Sequence, residues 1–146
     1  MRRRAVVLTA VSPQGLAVAR ELLGEEFELV AVHTTREALA RLSQGGIDTI
    51  LAGLHFDDSL MPALLQAVKT NASTRALPFV CCRFLPTQLQ RASLSATAQV
   101  CEVLGAQFVD VLKLQQNEGH AAAAQQLRSM MLQALQPEPR SRRTEV

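Results

Sequence analysis

The chain has 146 residues and a mass of 15.9 kDa, the size of one domain able to bury roughly two-thirds of its unfolded surface. Hydrophobic residues make up 48% and charged residues 19%, which excludes a disordered or fibrous body. The longest apolar run, residues 5–11, falls far short of the ~20 that cross a bilayer, so no membrane partner is expected.

The net charge of +2 sits at the ends, because Arg2, Arg3 and Arg4 carry three positive charges and residues 137–146, with three Arg and two Glu, carry one more. The body, residues 5–136, is therefore at −2. It lacks the clustered Lys and Arg of a nucleic-acid-binding face, and the terminal arginines read as solvated ends. Cys81, Cys82 and Cys101 are odd in number and have no CxxC spacing, which suggests neither a disulfide framework nor a zinc finger and favours a reducing cytoplasm. A basic start, the apolar run and Ala17-Val18-Ala19 sketch a secretory signal, but Ser12-Pro13-Gln14-Gly15 interrupts it.

In chain order, residues 5–10 are a buried strand that stops at Ser12-Pro13, a cap and first-turn proline opening a helix over 13–24 with Leu16, Ala19 and Leu23 inward. Residues 27–32 form a second strand. Thr34 and Glu37 make a capping box for a helix that ends at Gly45-Gly46. A third strand, 48–54, precedes the polar Asp57-Asp58-Ser59 and a helix with Met61, Leu64, Leu65 and Val68 on one stripe. Residues 77–82 are a fourth strand introduced by Pro78, and Pro86-Thr87, with Gln90 completing another capping box, starts a helix that ends near Gly105. Residues 108–112 read as a fifth strand, and about 119–135 as a last helix striped by Leu127, Met130, Met131 and Leu135. Pro137-Glu138-Pro139 closes the domain at about 136 and leaves 137–146 as a disordered tail.

Five strands alternating with five helices imply an α/β fold, a doubly wound parallel sheet covered on both faces in a three-layer sandwich. Ligands in such folds bind at the carboxyl ends of the strands, here residues 9–12, 33–35, 53–58, 83–86 and 111–113.

This order of elements, with Ile47-Asp48-Thr49-Ile50-Leu51-Ala52-Gly53-Leu54, Leu77-Pro78-Phe79-Val80-Cys81-Cys82 and Gly105-Ala106, resembles the receiver domain of bacterial two-component response regulators. The resemblance runs from residue 4 to about 135 and implies a five-stranded flavodoxin-like (β/α)5 sandwich. Receivers phosphorylate an aspartate at the end of the third strand, beside an acidic pair that holds Mg²⁺. A hydroxyl after the fourth strand and a Lys after the fifth contact the phosphoryl oxygens. The aspartate is the nucleophile, the metal neutralises the transferring group, and hydroxyl and ammonium read the product.

By this resemblance the acceptor falls on Gly53, the acidic pair on about Thr9-Ala10, the hydroxyl on Arg83, and the Lys on Val111 or Leu112, with Lys113 displaced. Four functional positions depart together, so no catalytic residue, metal or cofactor is expected. Phe108 matches the family's aromatic switch, although a Phe at a strand start is also an ordinary core residue. Asp57 or Asp58 could serve as a shifted acceptor; the competing role is to start or cap the following helix. Arg83 could pair permanently with Asp57, Asp58 or an anion and mimic a fixed signalling state. His33, His55 and Cys82 lie at strand ends without a ligand signature. Cys81 and Cys82, adjacent in a strand, point to opposite faces and read as buried hydrophobes, and Cys101 as helix core. No GxSxG, Walker or GxGxxG sequence is present.

Residues 83–105 are roughly two helical turns longer than their usual counterpart in receivers. They contain the small-residue stretch Arg91-Ala92-Ser93-Leu94-Ser95-Ala96-Thr97-Ala98. In the family this face pairs with itself or with output partners, which makes Leu89, Leu94 and Met131 candidate contacts. The expected role is a stand-alone, phosphorylation-independent signalling or scaffold module binding a protein of a bacterial pathway or a second copy of itself. The alternatives are an active receiver that uses Asp57 or Asp58 and a small-ligand-binding α/β domain.

Overall fold

In the computed structural model, residues 4–57, 61–86 and 91–135 are described. The expected tail at 137–146, the helix start at 87–90, Asp58 and Leu89 lie outside them. The elements are β1 (Ala5–Ala10), α1 (Pro13–Leu23), β2 (Phe27–Val32), α2 (Thr35–Leu42), β3 (Thr49–Gly53), α3 (Met61–Thr70), β4 (Phe79–Cys82), α4 (Arg91–Val103), β5 (Gln107–Val109), α5 (Val111–Glu118) and α6 (His120–Leu135).

Local chemistry starts the helices where the sequence places them. The Ser12 hydroxyl accepts from the Gly15 amide ahead of α1, and the Thr34 hydroxyl accepts from the Glu37 amide ahead of α2. Each satisfies one of the amides that a first turn leaves without a partner. The loop between α3 and β4 is pinned by Lys69, whose ammonium donates to the carbonyls of Arg75 and Leu77. Burial lowers the pKa of that amine, because a partly desolvated ammonium is harder to keep charged.

All strand pairs are parallel, in the order β2-β1-β3-β4-β5. Alternating side chains divide the core into two layers. Leu8, Ala10, Ile50, Ala52, Phe79 and Cys81 pack under α2, α3 and α4. Val7, Leu51, Val80 and Cys82 pack under α1 and α6. Cys81 and Cys82 therefore face opposite layers, as their adjacency predicts. The chain leaves β1 toward β2 on one side and places β3 on the other, so the crevice between the ends of β1 and β3 is the topological switch point.

The first four strands and the three helices between them follow the sequence pattern, but the end of the chain departs from it. The fifth strand stops at Val109 instead of running through 112, and Val111 opens an additional helix, α5. Asp110 causes the change: its carboxylate accepts from the Lys113 amide as an N-cap, and Leu112 donates its amide to the Arg83 carbonyl. Gly119, at φ 94°, separates α5 from α6 with a backbone that a side chain would strain. α6 then takes the layer beside α1, with Ala123, Leu127 and Met131 fully buried.

Met131 is thus part of the core and not a contact surface, whereas its neighbour Leu132 is 44% exposed. Met131→Ala should lower the unfolding free energy by ~2–5 kcal/mol and Leu132→Ala by less than ~0.5 kcal/mol, as measured by urea denaturation.

Candidate functional site

The strand ends meet around Gly53, which pairs with Cys82 of β4 and, one step past the Ala10–Ala52 pair, faces Val11. A Cβ at Gly53 would touch Val11 Cγ1 at 3.4 Å and Phe84 Cδ2 at 3.6 Å. Both side chains are buried and belong to the core layer under α1 and α6. A methyl group would fit there in ordinary contact. Among the described residues, Ser12, Gly15, Gly53, His55 and Phe84 border a space of about 10 Å³, barely room for one water molecule.

The positions expected for an acidic pair contribute nothing polar to this crevice. The Thr9 hydroxyl turns back to donate to the Val7 carbonyl, and Ala10 is buried in the opposite layer. Val11, the residue just after β1, and not Thr9 or Ala10, reaches Gly53. Val111, on the expected Lys position, is fully buried at the start of α5, and Lys113 is exposed on that helix.

Two charged groups near the crevice are bound within the fold. Arg83 Nε donates to Asp110 Oδ1 at 2.9 Å, with side chains 17% and 21% exposed. The same oxygen accepts from the Lys113 amide at 3.0 Å, and Arg83 donates its own amide to Val109. The partner of Arg83 is therefore Asp110 and not Asp57. Asp57 Oδ2 accepts from the Thr35 amide at 2.8 Å and the Thr35 hydroxyl at 2.9 Å. It thus adds to the cap of α2 across the crevice, with its charge against the positive end of the α2 dipole. Asp57 holds a left-handed φ of 49° to do so. Beside it, His33 Nδ1 lies 2.8 Å from the Val11 carbonyl.

The remaining candidates scatter. Phe108 is half-buried against the layer under α2, α3 and α4, and Leu94 falls within α4. Among the described side chains of α4, Val100, at 46%, and Val103, at 84%, are the exposed large apolar ones. Among the described residues, no three His, Cys, Asp or Glu side chains gather to hold a metal ion. No described helix is long and apolar enough to cross a membrane. Sequence reasoning placed Val11 and Phe84 within the strand-end segments 9–12 and 83–86 but not against Gly53, a purely tertiary contact, and it missed the Asp110 cap, readable from its spacing to Lys113.

The same architecture recurs in solved structures. A response regulator from Hahella chejuensis superposes with a TM-score of 0.68 at 18% identity, over 92% of this chain and 99% of that one. The signal receiver domain of an HD-domain-containing protein from Pseudomonas fluorescens Pf-5 gives 0.65 at 18%, over 92% and 89%. Chemotaxis response regulator CheY4 of Vibrio cholerae gives 0.62 at 17%, over 87% and 98%. The chain has the receiver fold. No protein-family model and no curated protein matches the sequence. Within the receiver fold, Gly53, Val11 and Phe84 occupy the switch-point crevice.

The Arg83–Asp110 pair joins the end of β4 to the cap of α5. Asp110→Ala removes both the charge-assisted bond and the cap, and should cost ~1–2 kcal/mol in urea unfolding, with Lys113→Ala near zero. Amide chemical shifts should change along residues 109–114 in Asp110→Ala and in Arg83→Ala alike.

Proposed function

We propose that this chain is a receiver-like signalling module that works without phosphorylation, by binding protein partners. The observation that carries the reading is the apolar closure of the switch-point crevice. Gly53 offers no nucleophile, and Val11 and Phe84 occupy the approach to it. A phosphoryl group brings about two negative charges and three acceptor oxygens, and among the described residues bordering that space only Ser12 and His55 carry polar side chains.

The polar contacts around the crevice support the same reading. Arg83 is tied to Asp110 and Asp57 to Thr35, so groups that could answer a phosphoryl group are committed to fixed partners. A module of this kind holds one conformation and signals by its presence, its abundance or its assembly, with no catalytic step of its own. Its partner is a protein of a bacterial response-regulator pathway, another copy of this chain being one such partner. The exposed Val100 and Val103 on α4 would be covered in that contact.

A displaced acceptor is the competing reading, and Asp57 is the described residue that could provide it. A carboxylate already accepting two hydrogen bonds at a helix N-terminus is a poor nucleophile. Incubation with acetyl phosphate and Mg²⁺, followed by intact-mass measurement at neutral pH, should leave the protein unmodified. Gain of one phosphoryl group that disappears in Asp57→Asn or Asp58→Asn would overturn the proposal.

A further inference from the structure

Three sulfur atoms meet in the layer between β4, α3 and α4. Cys81 Sγ lies 3.0 Å from Cys101 Sγ and 3.5 Å from Met61 Sδ. All three side chains are buried, and both cysteines are free thiols. A disulfide bond is ~2.05 Å long, so about 1 Å of approach separates the thiol pair from a covalent link. Cys82 faces the opposite layer and cannot reach either partner.

We propose that Cys81 and Cys101 form a peroxide-sensitive dithiol whose oxidation staples α4 to β4. The two cysteines are not equivalent, and the difference sets the order of events. The Cys101 S–H is directed at the Cys81 sulfur and the Cys81 S–H at the Met61 thioether; once Cys101 is ionised, Cys81 turns its S–H to that sulfur, a contact that lowers the pKa of Cys101. The same hydrogen bond, followed by burial, holds Cys81 protonated. Cys101 also lies one helix layer from solvent, since its neighbours Val100 and Glu102 are exposed. At 1% exposure, Cys101 calls for an oxidant close to water in size, hydrogen peroxide, and not a bulky disulfide such as oxidised glutathione.

The Cys101 thiolate attacks one peroxide oxygen, the O–O bond breaks, and the departing hydroxide takes a proton to become water. Cys101 is then a sulfenic acid. The Cys81 sulfur attacks the Cys101 sulfur, the S–O bond breaks, and the hydroxide leaves with the Cys81 proton as a second water. Two thiols lose two electrons in all, and one peroxide gains them. The link closes the segment from 81 to 101, which contains Arg83 and leads into the exposed Val100 and Val103 of α4. Reversible disulfides of this type are the redox-sensing kind found in reducing compartments.

The test is to treat the reduced full-length protein with hydrogen peroxide, block remaining thiols, and map the products by mass spectrometry. The expected monomer is lighter by two hydrogens, ~2 Da, and reverts with dithiothreitol. Trypsin, cutting after Arg75, Arg83, Arg91 and Lys113, should release residues 76–83 joined to residues 92–113. The link should persist in Cys82→Ser and vanish in Cys81→Ser and Cys101→Ser. The oxidised wild type should also unfold at higher urea than the reduced protein. Oxygen addition without a link, a Cys81–Cys82 link, a link between two chains, unreacted thiols or an unraised urea midpoint would each overturn the proposal.

Discussion

The contact of Val11 and Phe84 around Gly53 is the constraint on which the reading of this molecule turns. A parallel sheet with strand order 2-1-3-4-5 brings the carboxyl ends of its central strands to one crevice, and that is where such folds place their ligands. Here β3 ends in a residue with no side chain, and the core layer under α1 extends to fill the space. Val11 continues the apolar run of β1 by one residue, and Phe84 returns from the end of β4. The crevice becomes the edge of the hydrophobic core, in which an anion or a hydrated cation would have to shed its water without compensation.

The polar groups at the rim follow from that closure. A charge at the margin of an apolar crevice needs a partner, and the chain supplies one from a distant segment in each case. Arg83 finds Asp110 across 27 positions and Asp57 finds Thr35 across 22. The first tie also organises the end of the molecule, because Asp110 at once neutralises Arg83 and caps α5. The helix it starts covers Val111 and turns at Gly119 into α6, which completes the layer beside α1. Among the described residues no buried side-chain nitrogen or oxygen lacks a hydrogen-bond partner, in keeping with a site that is closed and not poised.

Much of the sheet was readable from local pattern. Apolar runs with β-branched residues marked β1 to β4, and caps at Ser12 and Thr34 placed α1 and α2, because those signals act within three or four residues. Val111 and Leu112 misled for the same reason: beside Phe108 and Val109 they look like a continuing strand, and the Asp110 cap that turns them into a helix carries less apolar weight. Met131 sits on the stripe of Leu127, Met130 and Leu135, and packing beside α1 turns that stripe inward and leaves Leu132 exposed. The partners of Arg83 and Asp57, and the closure of Gly53 by Val11 and Phe84, depend on contacts between strand ends that no local spacing encodes.

If the crevice is closed by apolar packing, it should be silent toward the ions that define an acyl-phosphate site. The most direct measurement is an amide NMR titration of the full-length protein, first with millimolar Mg²⁺ and then with beryllofluoride, which imitates a phosphoryl group on a carboxylate. The account predicts no localised shifts at residues 9–12, 53–57 or 83–86. Saturable shifts confined to those residues would contradict it and reveal a site that opens to accept a phosphoryl group.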